Sequence, residues 1–315
     1  MRQVFNIGDT VLDIIFKNNK PVEARPGGAM LNTAISLSRL GIPVHLIADI
    51  ADDVVGKIIE DFLTENNIST DYLTRYESDT AKSRIALAFL DDNNNANYSF
   101  YKIRKSGKAY LHLPEIKEDD IVLFGSFFGI KLEIREDLLK ILNHAKKQKA
   151  IIIYDPNFRK AHLGLKQHVI DFLNENIEIS DIVKGSDEDF ENIYDLNSAD
   201  AVFDKLNNSV CKNLIYTANK YGVWSKTTTL KQYYPAHNID PVSTIGAGDT
   251  FNAGLIYSII KNNILHNDLN NLSLEKWSDL IKTAIDFSSS VCMSYDNYLS
   301  VDFLKNYNPV SQFSQ

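Results

Sequence analysis

At 315 residues the chain has room for one large domain or roughly two modest ones, and 44% hydrophobic with 23% charged residues suits a globular protein with a substantial core. With 33 Lys+Arg against 41 Asp+Glu the formal charge is −8, which excludes a global basic field for nucleic acid or an anionic membrane, so a phosphate ligand has to be held locally. Two cysteines, Cys211 and Cys292, without metal-ligand spacing, Gly8-Asp9 interrupting the apolar start, and no run of about 18 apolar residues fit a reduced compartment, and the chain is expected to be cytoplasmic.

In chain order, Val4-Phe5-Asn6-Ile7 opens a strand, and a single strand over residues 4–15 would put Asp9, Val11 and Asp13 on one face. Residues 14–25 are expected to add a partner strand. Pro26-Gly27-Gly28-Ala29-Met30-Leu31-Asn32 then enters a helix carrying Leu31, Ala34, Ile35 and Leu40 and ending at Gly41. Gly27-Gly28 permits close approach of backbone to a ligand, and Asn32 offers both a donor and an acceptor at the helix start. Apolar runs at 44–47, 121–124, 151–154, 182–183 and 214–216 read as buried strands, alternating with helical patterns such as 58–63 and 138–145. That rhythm implies a parallel sheet covered on both faces by helices, with ligands gathering at the strand C-terminal ends. Residues 83–90 and 98–103 break it: they flank Asp91-Asp92-Asn93-Asn94-Asn95 and read as a β-hairpin, expected to act as a small lid over a crevice.

The sharpest local signal is Ser243-Thr244-Ile245-Gly246-Ala247-Gly248-Asp249-Thr250-Phe251, followed by a helix with Phe251, Leu255 and Ile259 on one face. Small residues bring backbone N–H groups close to a ligand and the helix start adds a positive dipole end, so this is physically an anion site. A carboxylate repels bound phosphate unless it serves as base for a hydroxyl attacking phosphorus. A helix start also favours any aspartate by about 0.3–1 kcal/mol, and the fragment alone leaves both readings of Asp249 open. The glycine spacing lacks the last Gly of the dinucleotide fingerprint, and no GxxxxGK[ST] occurs, which excludes those two nucleotide sites.

Taken together these segments resemble the ribokinase-like, or PfkB, family of carbohydrate kinases over nearly the whole chain. The resemblance implies an α/β, ribokinase-like three-layer sandwich with a mostly parallel central sheet, and one kinase domain over residues 1–315 with lid strands near 14–25 and 83–103. It implies ATP and Mg2+ as cofactors, Asp249 as catalytic base, and Gly246-Ala247-Gly248 as the anion hole. Asp13, Gly27, Gly28, Asn32 and Arg159 of Asp155-Pro156-Asn157-Phe158-Arg159 fall where the family holds its sugar. Lys184 and Ser186 of Lys184-Gly185-Ser186-Asp187-Glu188-Asp189 face the nucleotide, with Asp189 holding magnesium indirectly, and Thr217-Ala218-Asn219-Lys220-Tyr221-Gly222 resembles the nucleotide loop, through Thr217, Asn219 and Gly222.

Departures from the pattern are Asn219 in a glycine position, tolerable because Asn accepts left-handed backbone angles, Asp189 in place of glutamate, and Ser243 in place of an aspartate that in many members helps bind a monovalent cation such as K+. Lys184-x-Ser186 and Phe100-Tyr101-Lys102 are similar to members that phosphorylate fructose, so fructose is the expected substrate, ahead of ribose, 2-keto-3-deoxygluconate or a nucleoside. A non-catalytic homologue binding sugar or nucleotide is the reading of a different class, and the intact Gly246-Ala247-Gly248-Asp249 argues against it. The expected partners are sugar and ATP, with no nucleic acid or membrane, and a second copy of the chain joined through the lid.

Overall fold

The structure is a computed structural model that describes residues 2–90, 96–104, 110–207 and 212–307. Its thirteen strands are β1 (Val4–Ile7), β2 (Val11–Lys17), β3 (Lys20–Gly27), β4 (Val44–Ala51), β5 (Leu73–Tyr76), β6 (Ala81–Leu90), β7 (Ala96–Arg104), β8 (Ile121–Gly125), β9 (Ile151–Asp155), β10 (Ile182–Ser186), β11 (Leu214–Thr217), β12 (Val223–Lys226) and β13 (Lys231–Tyr234). The main helices are α1 (Ala29–Arg39), α2 (Val54–Glu65), α3 (Arg135–Lys147), α4 (Lys166–Ile179), α5 (Asp187–Tyr194), α6 (Ala199–Asn207), α7 (Ala247–Lys261) and α8 (Leu274–Cys292). Nine strands form one sheet in the order β13-β12-β11-β10-β9-β8-β1-β4-β5, parallel from β11 to β5 and antiparallel at β12 and β13.

Strands buried on both faces need apolar side chains at every position. Ile151, Ile152, Ile153 and Tyr154 are accordingly all fully buried, with Ile151 and Ile153 packed under α1, α7 and α8, and Ile152 and Tyr154 under α3, α4 and α5. The same alternation carries Asp155, Lys184 and Thr217 to the α7 side of the sheet, in step with Ile153, Ile182 and Ile215. Strand order reverses between β1, which leads to β4 on one side, and β8 on the other; ligands gather at such a switch point.

A second sheet, β3-β2-β6-β7, is the hairpin expected around 83–103 joined to a second hairpin. The turn cluster 91–95 lies outside the described residues. One correction concerns the N-terminus. Instead of a single strand over 4–15, Gly8-Asp9-Thr10 breaks the chain: β1 stays in the large sheet and β2 enters the small one. Asp9 therefore does not share a strand face with Val11 and Asp13. The Gly8 amide donates to the Ile47 carbonyl and Thr10 Oγ1 to that of Asp49, fastening the crossover to β4. Residues 14–25 are likewise two strands rather than one, reversed at Asn18-Asn19 with φ of 51° and 60°, the left-handed pair that suits a tight hairpin. Among the described residues no helix is long and apolar enough to cross a membrane.

Candidate active site

The site is built where α7 begins. Gly246 is its N-cap at φ 79°, and a Cβ there would lie 2.3 Å from the Asn297 backbone oxygen. Only glycine makes that turn against that loop. The N–H groups of Gly248 and Asp249 occupy the first turn, where no preceding carbonyl of the helix reaches them, while that of Ala247 donates to the Thr244 carbonyl at 3.3 Å, and the dipole end adds partial positive charge. A Cβ on Gly248 would sit 3.1 Å from Lys184 Nζ, so the ammonium closes the cradle from below. The residues expected to form the anion hole are thus brought together in one turn with a cation beside them.

Asp249 stands at the rim. Its Oδ2 accepts from Asn32 Nδ2 at 2.8 Å, and its backbone carbonyl accepts from Thr33 Oγ1 at 2.9 Å, which binds α7 to α1. Burial pushes the Asp249 carboxyl up to about 6; the Asn32 bond pulls it down, the Asp155 charge pushes it up, and Lys184 and Arg159 pull it down. Arg159 is exposed, within electrostatic reach of this carboxylate. Asp13 is 6% exposed on β2, and burial raises its pKa to about 7, with Arg25 opposing and Asp249 adding to the rise. A carboxylate of the small sheet and one from the first turn of α7 therefore lie within electrostatic reach of each other. Gly27 and Gly28 wall this region: a Cβ on Gly27 would meet Asp13 Oδ2 at 2.2 Å, and one on Gly28, at φ 120°, would meet the Asp9 carbonyl at 2.3 Å.

On the other side, register sets Ser186 beside Thr217 at the ends of β10 and β11, with Thr217 Oγ1 3.4 Å from the Gly185 carbonyl. Asn219 adopts φ 47° and Gly222 φ 93°, so asparagine does the left-handed work of the missing glycine. Asp189 is placed differently from the other acids. One oxygen accepts from the Phe158 amide and the other from the amide and hydroxyl of Ser186, a capping box that starts α5 and ties it to the segment after β9.

Several residues that sequence reasoning missed complete the site. Asp155 Oδ2 accepts from Lys184 Nζ at 2.8 Å and from Asn252 Nδ2 at 2.7 Å. Arg25, opposite Asp13 in the β2–β3 register, reaches Glu23 and the Tyr295 carbonyl. At the switch point lies a partly buried quartet: Arg84 is bidentate to Asp49 at 2.7 and 2.8 Å and 3.2 Å from Asp9, while Lys131 pairs with Asp9. It ties β6 of the small sheet to β4 of the large one.

Arranged in this way, an anion cradle with a cation on one side adjoins a two-carboxylate, glycine-walled space on the other, which is the layout for moving a phosphoryl group onto a hydroxyl. Comparison with known proteins agrees. A pfkB family carbohydrate kinase model matches residues 1–276. A fructokinase of Rhizobium leguminosarum bv. trifolii is 31% identical over 265 residues, covering 82% of this chain and 80% of that protein. Among solved structures, a fructokinase from Vibrio cholerae O395 in fructose, ADP and calcium ion bound form superposes with a TM-score of 0.83 at 19% identity, covering 96% of each chain. An aminoimidazole riboside kinase from Salmonella enterica complexed with aminoimidazole riboside and an ATP analog follows at 0.80 and 20%, covering 97% of this chain and 98% of that one. The motif spacing, the two-sheet fold and these matches have one explanation: the chain belongs to the pfkB family of carbohydrate kinases, and it is an enzyme of that class.

Proposed function

We propose that the protein transfers the γ-phosphate of ATP to a hydroxyl of fructose with Asp249 as the base. The observation that carries this is the placement of the Asp249 carboxyl, raised to about 6 by burial, in the first turn of α7, hydrogen-bonded to Asn32 and within electrostatic reach of Asp13. A base of that strength is ionised at neutral pH yet still able to take a proton. Asp13, Gly27, Gly28, Asn32 and Arg159 hold the sugar. Its hydroxyl oxygen bonds to the γ-phosphorus as the bond to the bridging oxygen breaks, the proton passes to Asp249, and ADP leaves. The first-turn amides of α7 and Lys184 stabilise the transferring charge, which is where this chemistry gains most.

Lys184, Ser186, Thr217, Asn219 and Gly222 form the nucleotide side. Mg2+ would arrive on the phosphates: among the described residues no cluster of three or more acidic, His or Cys side chains forms a cage, and Asp155 and Asp189, whose oxygens already accept protein hydrogen bonds, would hold it through its water shell. For K+, Ser243 offers an oxygen without the charge of an aspartate, and the buried Asn297 Oδ1 beside Gly246 lacks a hydrogen-bond partner.

The small sheet serves as the lid. Its one face carries Asp13, Arg25, Ala86 and Phe100 toward the site; the other carries Ile14, Phe16, Leu87, Phe89 and Tyr101. Tyr101 is 59% exposed and Phe16 stacks on Phe89, and we assign that face to a second copy of the chain. Sedimentation as a monomer at micromolar concentration would remove this assignment.

Fructose rests on the fructokinase relatives. Phe100, 56% exposed on the Asp13 face, and the riboside kinase neighbour favour a nucleoside as the second reading. ADP release with Mg-ATP against fructose, ribose, 2-keto-3-deoxygluconate and adenosine decides. Fructose is expected to give by far the highest kcat/KM; a preference for adenosine overturns the sugar reading, and ATP binding with no turnover leaves a binding-only homologue.

A further inference from the structure

We propose that Asn252 is a positioning residue that, acting through Asp155, aims Lys184 at the terminal phosphate of the nucleotide. The inference rests on the reading of Lys184 as the nucleotide-side cation and concerns what holds it there. Three elements converge on one oxygen: Asp155 Oδ2, at the end of β9, accepts from Lys184 Nζ of β10 at 2.8 Å and from Asn252 Nδ2 of α7 at 2.7 Å. All three side chains are buried, at 2%, 4% and 0% exposure. The other Asp155 oxygen accepts from the Asn157 amide at 3.2 Å, so the carboxylate cannot rotate. Asn252 lies one helical turn beyond Gly248, the residue whose Cα faces the Lys184 ammonium.

A buried carboxylate oxygen seeks donors in proportion to its charge. With the Asn252 amide as second donor, Lys184 is shared between Asp155 and the anion in the cradle. Without that amide, Asp155 draws the ammonium fully onto itself and off the cradle. The lysine contact that weakens is the one to the γ-phosphate, which ATP has and ADP lacks. A structural role alone, fastening α7 to β9, would lower thermal stability and leave nucleotide preference as it was.

The test needs no sugar. Calorimetric titration with Mg2+ and either β,γ-methylene-ATP or ADP is expected to show wild type preferring the triphosphate. In Asn252→Leu triphosphate affinity is expected to fall about tenfold, the scale of a weakened charge-assisted contact, with ADP affinity unchanged. Asn252→Ala is expected to give the same direction and serves if the leucine variant does not fold. In a Lys184→Met background either change should cost nothing further, because coupled residues are not additive. An unchanged triphosphate-to-diphosphate ratio, or a loss that persists undiminished without Lys184, overturns the positioning role. A wild type with no triphosphate preference overturns the Lys184 reading along with it, and so separates the two failures.

Discussion

Asp249→Asn is expected to lower kcat by about 10²–10⁴-fold, the loss that follows removal of a general base, with fold and nucleotide affinity retained. The amide keeps the shape of the carboxyl and its place beside Asn32 but cannot take the proton from the sugar hydroxyl. The wild-type pH profile should identify the same group. Because the base has to be ionised and its pKa stands near 6, kcat at saturating sugar is expected to fall as pH drops through about 6, a limb absent from the residual activity of the variant. Steady-state kinetics from pH 5 to 8.5 on both proteins check this. A variant with unchanged kcat, or one that keeps the limb, removes Asp249 from the chemistry.

Asp13→Asn combines a loss of function with a gain in stability. Charge-assisted hydrogen bonds to the sugar are lost, and KM for the sugar is expected to rise roughly 10–100-fold while KM for ATP stays put. Stability moves the other way. The folded pKa of Asp13, about 7, lies above its unfolded value of 3.8, chiefly through burial. Between about pH 4 and 7 the unfolded chain sheds this proton and the folded chain keeps it, so stability contributed at low pH is lost as pH rises through the folded pKa. The asparagine variant lacks this slope. Its Tm should exceed that of wild type by a margin that grows from pH 4 to 7 and levels off above, worth a few kcal/mol at most, since one pKa unit corresponds to about 1.4 kcal/mol. Equal margins at pH 4 and pH 8 would show that Asp13 is not held above its ordinary range. Such a cost is what a preorganised site carries: two carboxylates in one dry space weaken the fold and sharpen the chemistry.

Much of this was legible from local pattern. Apolar runs at 44–47, 121–124, 151–154, 182–183 and 214–216 all became buried strands of the large sheet, because a strand covered on both faces leaves no choice of residue type. The edge strands β5 and β13, and β12 next to the edge, escaped notice, being four residues long and partly polar, as in Lys-Gln-Tyr-Tyr of β13. The split of 4–15 at Gly8-Asp9-Thr10 also escaped, since alternation continues across the break and only a second sheet competing for β2 reveals it.

By itself the sequence determined the elements and motifs whose physics is local: the glycine turn into α7, the Gly27-Gly28 approach to α1, the left-handed Asn219, and a net charge that demands a local phosphate site. Tertiary structure decided which of those motifs share a space. Asn32 and Asp249 lie 217 residues apart in sequence yet form one hydrogen bond, and Asp155, Lys184 and Asn252 meet on a single oxygen. The Asp9–Arg84–Asp49–Lys131 quartet and the raised pKa values of Asp13 and Asp249 arise in the same way. Burial and distance between charges depend on how the two sheets and α7 are assembled, and neither quantity is a property of any one stretch of chain.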